Sequence, residues 1–100
     1  MQTSSMLEQS RSRFPLGQVL MTPDAIAALA EANQWWMTLL ACHAAGDWGN
    51  LPEEDRRANE RTLKQGGRLF SAYTLSTGQR LWVITEADRS ATTLLLPAEY

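Results

Sequence analysis

The chain has little of the chemistry that usually marks a function. It carries a single cysteine, Cys42, and a single histidine, His43. One thiol cannot close an internal disulfide, so a reducing compartment and a cytoplasmic location are expected. One His and one Cys fall short of the usual zinc ligand sets unless carboxylates complete them, and no metal or other cofactor is expected. No apolar run nears the roughly 20 residues of a membrane-spanning helix. The opening MQTSSMLEQSRSRF lacks the apolar centre of a signal peptide, so no membrane partner is expected. Gly-rich phosphate loops, nucleophile elbows and HExxH strings do not occur. Nor is there a basic excess: the net charge is −2, which argues against a protein built to coat DNA.

What is present is an ordinary globular composition, 44% hydrophobic and 20% charged over 100 residues, the size of one domain with a modest core. Residues 1–13 are rich in Ser, Gln and Arg and read as a mobile N-terminal arm. Residues 14–100 read as a single α+β domain. In it three N-terminal helices pack on a C-terminal three-stranded antiparallel meander, with room for a short strand in Leu16–Met21.

Local signals place these elements. Thr22 suits an N-cap, Pro23 the first helical position and Asp24 the positive end of the dipole. Ile26, Leu29 and Ala30 then give one apolar face, to about Asn33. Residues 34–45 are apolar nearly all round, as a central helix is, and Gly46 is a natural stop. A third helix, about Pro52 to Gln65, opens on Glu53, Glu54 and Asp55 and closes on Arg61 and Lys64, matching the macrodipole. Glu53–Arg57 and Glu60–Lys64 are favourably ordered i, i+4 pairs. RLFSAYTL (68–75) and RLWVIT (80–85) flank a turn with Gly78 and read as a hairpin. A register with Tyr73 opposite Trp82 and Ser71 opposite Ile84 is expected, with Phe70, Ala72, Leu81 and Val83 on the other face. ATTLLL (91–96) is the third strand, stopped by Pro97.

Four constellations could carry function, and each has a plainer structural reading. The loop Thr85–Ser90, with Glu86, Asp88 and Arg89, is either a polar site or a turn bonded by its own side chains, with Arg89 paired to Glu86. His43 and Asp47 are either a general acid–base pair or a helix-end ion pair. Arg57, Arg61, Lys64 and Arg68 make one basic stripe that could hold phosphates, or else a solvated helix face. The four tryptophans are mostly core, but an exposed one would mark a binding surface. Cys42 reads as a small buried hydrophobe.

The strings HxxGDWG (His43 to Gly49), EEDRxxN (Glu53 to Asn59), GGR (Gly66 to Arg68), SxY (Ser71 to Tyr73) and WxITEADRSxTTxLLP (Trp82 to Pro97), with a terminal Glu-Tyr, resemble a small bacterial family. Its members are carried on plasmids and other mobile elements and are labelled plasmid-related proteins. The likeness spans about residues 14–100 and implies a bacterial mobile-element context without a particular chemistry. In element order the chain is also similar to the barnase–colicin–RelE ribonuclease fold. That likeness implies His43, Arg68, Thr85 and Thr92 or Thr93 as catalytic types, with Arg89 as an alternative phosphate clamp.

The expected function is therefore a non-enzymatic protein-interaction module of a mobile element. Its partner would be another protein, such as a host defence or nucleic-acid-processing factor. The expected binding residues are Trp48, Tyr73, Trp82, Arg57, Arg61, Lys64, Arg68, Glu86, Asp88 and Arg89. The alternatives are a metal-independent ribonuclease-like enzyme and nucleic-acid binding through the Arg stripe. Free edges on such a meander are also compatible with a homodimer.

Overall fold

The computed structural model describes residues 12–100; the arm expected over 1–13 lies outside them except for Ser12 and Arg13. Strand β1 (Gln18–Met21) comes first, then helices α1 (Pro23–Ala32), α2 (Trp36–Ala44) and α3 (Glu53–Gln65). Strands β2 (Leu69–Thr74), β3 (Arg80–Thr85) and β4 (Ala91–Leu95) follow, and a single 3-10 turn, Pro97–Glu99, closes the chain. The fold is α+β. The meander is there, but it is three-quarters of a four-stranded mixed sheet of order β1-β4-β3-β2. β1 adds to it in parallel, Gln18 to Met21 beside Ala91 to Leu94. The helices therefore lie between the first strand and the rest rather than ahead of the whole sheet.

Helix α1 starts where the sequence says it should. Thr22 Oγ1 accepts the amide of Ala25 at 3.0 Å, and Asn33 ends the helix in the left-handed conformation, φ 56°. Its small face of Ala25, Ala28 and Leu29 packs with Leu39 and Leu40 of α2 on Tyr73, Leu81, Val83 and Leu94 of the sheet. A second cluster joins Phe14, Trp48, Leu51, Leu69 and Ala72.

The hairpin register differs from the expected one by a residue. Leu75 N donates to Gln79 O and Gly78 N to Leu75 O, so three residues, 76–78, make the turn, with Gly78 at φ 92°. Tyr73 then faces Leu81, Ser71 faces Val83, Ala72 faces Trp82 and Phe70 faces Ile84. A slip of one residue moves each side chain to the opposite face. Tyr73, Ser71, Leu81 and Val83 point to the helices, whereas Trp82 and Phe70 lie on the other face. There Phe70, Trp82 and Tyr100 form a ladder of edge-on rings, 4.7 and 5.5 Å between centroids.

The two sheet edges are treated differently. At β2, the loop after α2 bridges to Ala72: Ala72 N donates to Trp48 O at 3.2 Å, and Asn50 N donates to Ala72 O at 2.6 Å. Gly49 makes this approach feasible, since a Cβ there would meet Ala72 O at 2.1 Å. The side chain of Asn59, buried on α3, serves the next peptide groups along, donating to Phe70 O at 2.7 Å and accepting Phe70 N at 3.2 Å. One amide thus stands in for a strand. At the β1 edge nothing among the described residues plays that part.

Candidate functional site

His43 sits at the centre of a buried polar chain. It is fully buried on the inner face of α2. Nδ1 lies 2.6 Å from Ser71 Oγ and Nε2 lies 2.9 Å from Thr85 Oγ1. Thr85 Oγ1 is 2.7 Å from Thr92 Oγ1, and Thr92 Oγ1 is 2.7 Å from the carbonyl of Leu16. That carbonyl can only accept, so the single Thr92 hydroxyl proton goes to it. Thr85 must then donate to Thr92, and its own oxygen accepts from His43 Nε2–H. Nδ1 is left as the acceptor for the Ser71 hydroxyl. The terminal carbonyl thus assigns the neutral Nε2–H tautomer. Burial lowers the His43 pKa to about 4, and the nearby Arg89 charge pushes the same way.

Phe14 closes this chain from outside. Its ring meets His43 edge-on at 5.2 Å and stacks on Trp48 at 6.2 Å. The Arg89 guanidinium lies 5.8 Å from the Phe14 centroid. Arg13, next in sequence, is held by its amide on Ala44 O and by a two-point pair with Glu60, whose carboxylate also accepts Trp48 Nε1 at 3.1 Å. The Arg13 and Trp48 bonds hold Glu60 below the usual carboxylate range. Glu60 therefore faces Arg13 rather than Lys64.

Several expected pairings are replaced. Asp47 does not bond His43: its carboxylate accepts Gly49 N at 3.2 Å, and its carbonyl accepts the Tyr73 hydroxyl at 2.6 Å. The ring nitrogens of His43 point away from the helix end into the sheet, which is why no ion pair forms. The Thr85–Ser90 loop has the geometry of a self-bonded turn. Asp88 accepts Ser90 N at 3.0 Å, and Arg89, in the left-handed region at φ 61°, donates to the carbonyls of Gly67 and Glu86 at 2.6 and 2.9 Å. The Glu86 carboxylate pairs with Arg68 at 3.4 Å instead of with Arg89, and Arg68 also donates to the Tyr100 hydroxyl at 2.7 Å.

The other expected binding residues divide by exposure. Trp48 and Tyr73 are buried, and burial pushes the Tyr73 hydroxyl pKa far up. Trp82 is half-buried between Phe70 and Tyr100. Along the basic stripe Arg57 pairs with Glu53 at 3.2 Å, while Arg61 and Lys64 are exposed and make no ion pair among the described residues. Of the ribonuclease types, His43, Thr85 and Thr92 are gathered, whereas Arg68 is at the surface and Thr93 faces the other side of the sheet. Among the described residues no group of three His, Cys, Asp or Glu side chains could hold a metal ion, and no helix is long and apolar enough to cross a membrane.

The clearest surface feature was not among the expected site residues. An apolar groove of about 570 Å³ runs along the outer side of α2, with Leu16 and Leu40 in it, Trp35 and Met37 at its rim, and Cys42 and Ala45 further along. Trp35 is 63% exposed and Met37 38%. Cys42 is half-buried there, its thiol pKa raised by burial and by Asp47. The signal was in the sequence: a helix apolar nearly all round satisfies one face with the sheet and leaves the other over. Comparison with protein-family models, curated proteins and solved structures finds no match.

Proposed function

We propose that the protein is a non-enzymatic interaction module, and that the groove on α2 seats an apolar segment of a partner protein. The observation that carries this reading is the exposure of Trp35 and Met37 at the rim of an apolar groove. A large aromatic beside an apolar hollow is the kind of anchor that dominates binding energy at protein interfaces. The likeness of the HxxGDWG and WxITEADRSxTTxLLP strings to proteins of plasmids and mobile elements supplies the context. In it the partner is a host defence or nucleic-acid-processing protein. Trp82, Tyr100 and Arg68 form a second, smaller surface on the opposite face of the sheet.

A ribonuclease-like role has less support. His43 is sealed under Phe14, and a general acid or base must reach its substrate within hydrogen-bonding distance. Nucleic-acid binding would fall to Arg61 and Lys64, with a salt dependence set by the phosphates they neutralise.

The test is affinity purification from the bacterial host with the intact chain and with Trp35→Ser/Met37→Ser, followed by reconstitution with the purified partner. A partner held by the intact chain and weakened by about a hundredfold in the double variant supports the reading, in line with the loss of an aromatic hot spot. Unchanged affinity for every partner rejects it. Circular dichroism of the variant serves as the folding control.

A further inference from the structure

We propose that β1 is a self-complementary edge through which two copies of the chain join into one eight-stranded sheet. This is independent of the partner proposed for the groove.

The peptide groups of β1 alternate in direction. Gln18 and Thr22 donate their amides inward, to Ser90 O and Leu94 O of the β4 side. Val19 and Met21 therefore turn N–H and C=O outward, and these groups have no partner among the described residues. The opposite edge of the sheet is closed by Trp48–Asn50 and Asn59, so the contrast lies within one molecule. β1 is short, but it lacks two other guards of a free edge: QVLM has no charge and no proline.

An antiparallel twofold pairing centred on Leu20 uses every free group. Val19 of one copy faces Met21 of the other, and Met21 faces Val19. In an antiparallel ladder each such outward-facing pair exchanges two hydrogen bonds, so four form across the axis. Leu20 then meets its own copy in the close, non-hydrogen-bonded position. This accounts for an apolar residue that is 42% exposed in the middle of a strand. It also extends the row Leu20, Thr93, Ile84, Phe70 across the axis into the same row of the second copy. A centre on Val19 would set Met21 against Gly17 of the other copy, which lies outside the strand at φ 66°, so the register centred on Leu20 is favoured.

The experiment has two arms. In the first, the mass of the intact chain is followed by light scattering or sedimentation over a range of concentrations, beside Leu20→Lys. Two ammonium groups placed face to face on the axis, and the lost leucine contact, should raise the dissociation constant by about a factor of ten or more. The fold should be unchanged, because Leu20 is exposed. In the second arm, Leu20→Cys in a Cys42→Ser background should form an intermolecular disulfide under mild oxidation. Gln18→Cys, which faces Thr22 of the other copy, should not. A chain that stays monomeric throughout, a dimer indifferent to Leu20→Lys, or equal linking at positions 18 and 20 would overturn the proposal.

Discussion

His43 shows how one residue can set the pH response of a small fold. Its pKa falls from an ordinary 6.5 to about 4 on burial. Between those values the unfolded chain binds a proton that the folded chain does not. Stability is therefore fully present above pH 6.5 and is lost as the pH drops toward 4, by about 3 kcal/mol over the interval. Urea unfolding midpoints measured across that range should fall with acid, and the fall should flatten in His43→Gln, whose amide does not titrate. The sequence marked His43 as the single histidine, at the end of an apolar helix, but its spacing pointed to the wrong partner. Asp47 was near along the chain, and nearness along the chain is all that spacing reports. Ser71 and Thr85 depend on strand register and on which side of the sheet α2 covers. Neither is written in the local pattern.

At the scale of elements, local chemistry placed the helix ends well but the buried face of α1 less so. Ile26 and Ala30, expected inside, are exposed, and Ala25, Ala28 and Ala32 pack beside Leu29 instead. Thr22, Pro23 and Asn33 punctuate α1 by mechanisms that act within a few residues, and the acid-to-base order of α3 does the same. The hairpin failed by one residue because the turn can close with three or four residues around Gly78, and only the three-residue form sets Tyr73 beside Leu81 and puts Trp82 on the other face. β1 was legible as apolar and β-branched, but its parallel partnership with β4 joins residues more than 70 apart. Nothing in the local pattern of the polar helix α3 sets Asn59 apart from its neighbours, although it works as part of the sheet. Asn59→Ala should cost about 1–3 kcal/mol, since it strands the amide and carbonyl of Phe70. Chemical denaturation should show that loss, and hydrogen exchange should show it focused on β2.

The molecule as a whole is held together by a few connections of long range. The segment Ser12–Leu16 is bound to α2 through Arg13 N and Ala44 O, to α3 through the Arg13–Glu60 pair, and to β4 through Leu16 O and Thr92. Phe14 lies where these meet and belongs to the second hydrophobic cluster. Phe14→Ala should therefore destabilise the fold by about 3–5 kcal/mol, a large part of what a domain this small has to lose. Thermal unfolding would also lose cooperativity if the two clusters then melt separately. The groove on α2 belongs to this scale too. No local pattern separates the apolar residues that meet the sheet from those left over, because the difference arises only once α1, β1 and the segment before it are in place.

The closed β2 edge has a consequence for growth. In the language of polymer chemistry, a sheet with two reactive edges is a bifunctional monomer and can add units without limit, whereas one with a single reactive edge is a chain stopper. Trp48–Asn50 and Asn59 make this fold the second kind. Two copies can condense at β1, and the product exposes β2 edges whose outward groups at Phe70 and Ala72 are already occupied, so a third copy finds no open ladder there to add to.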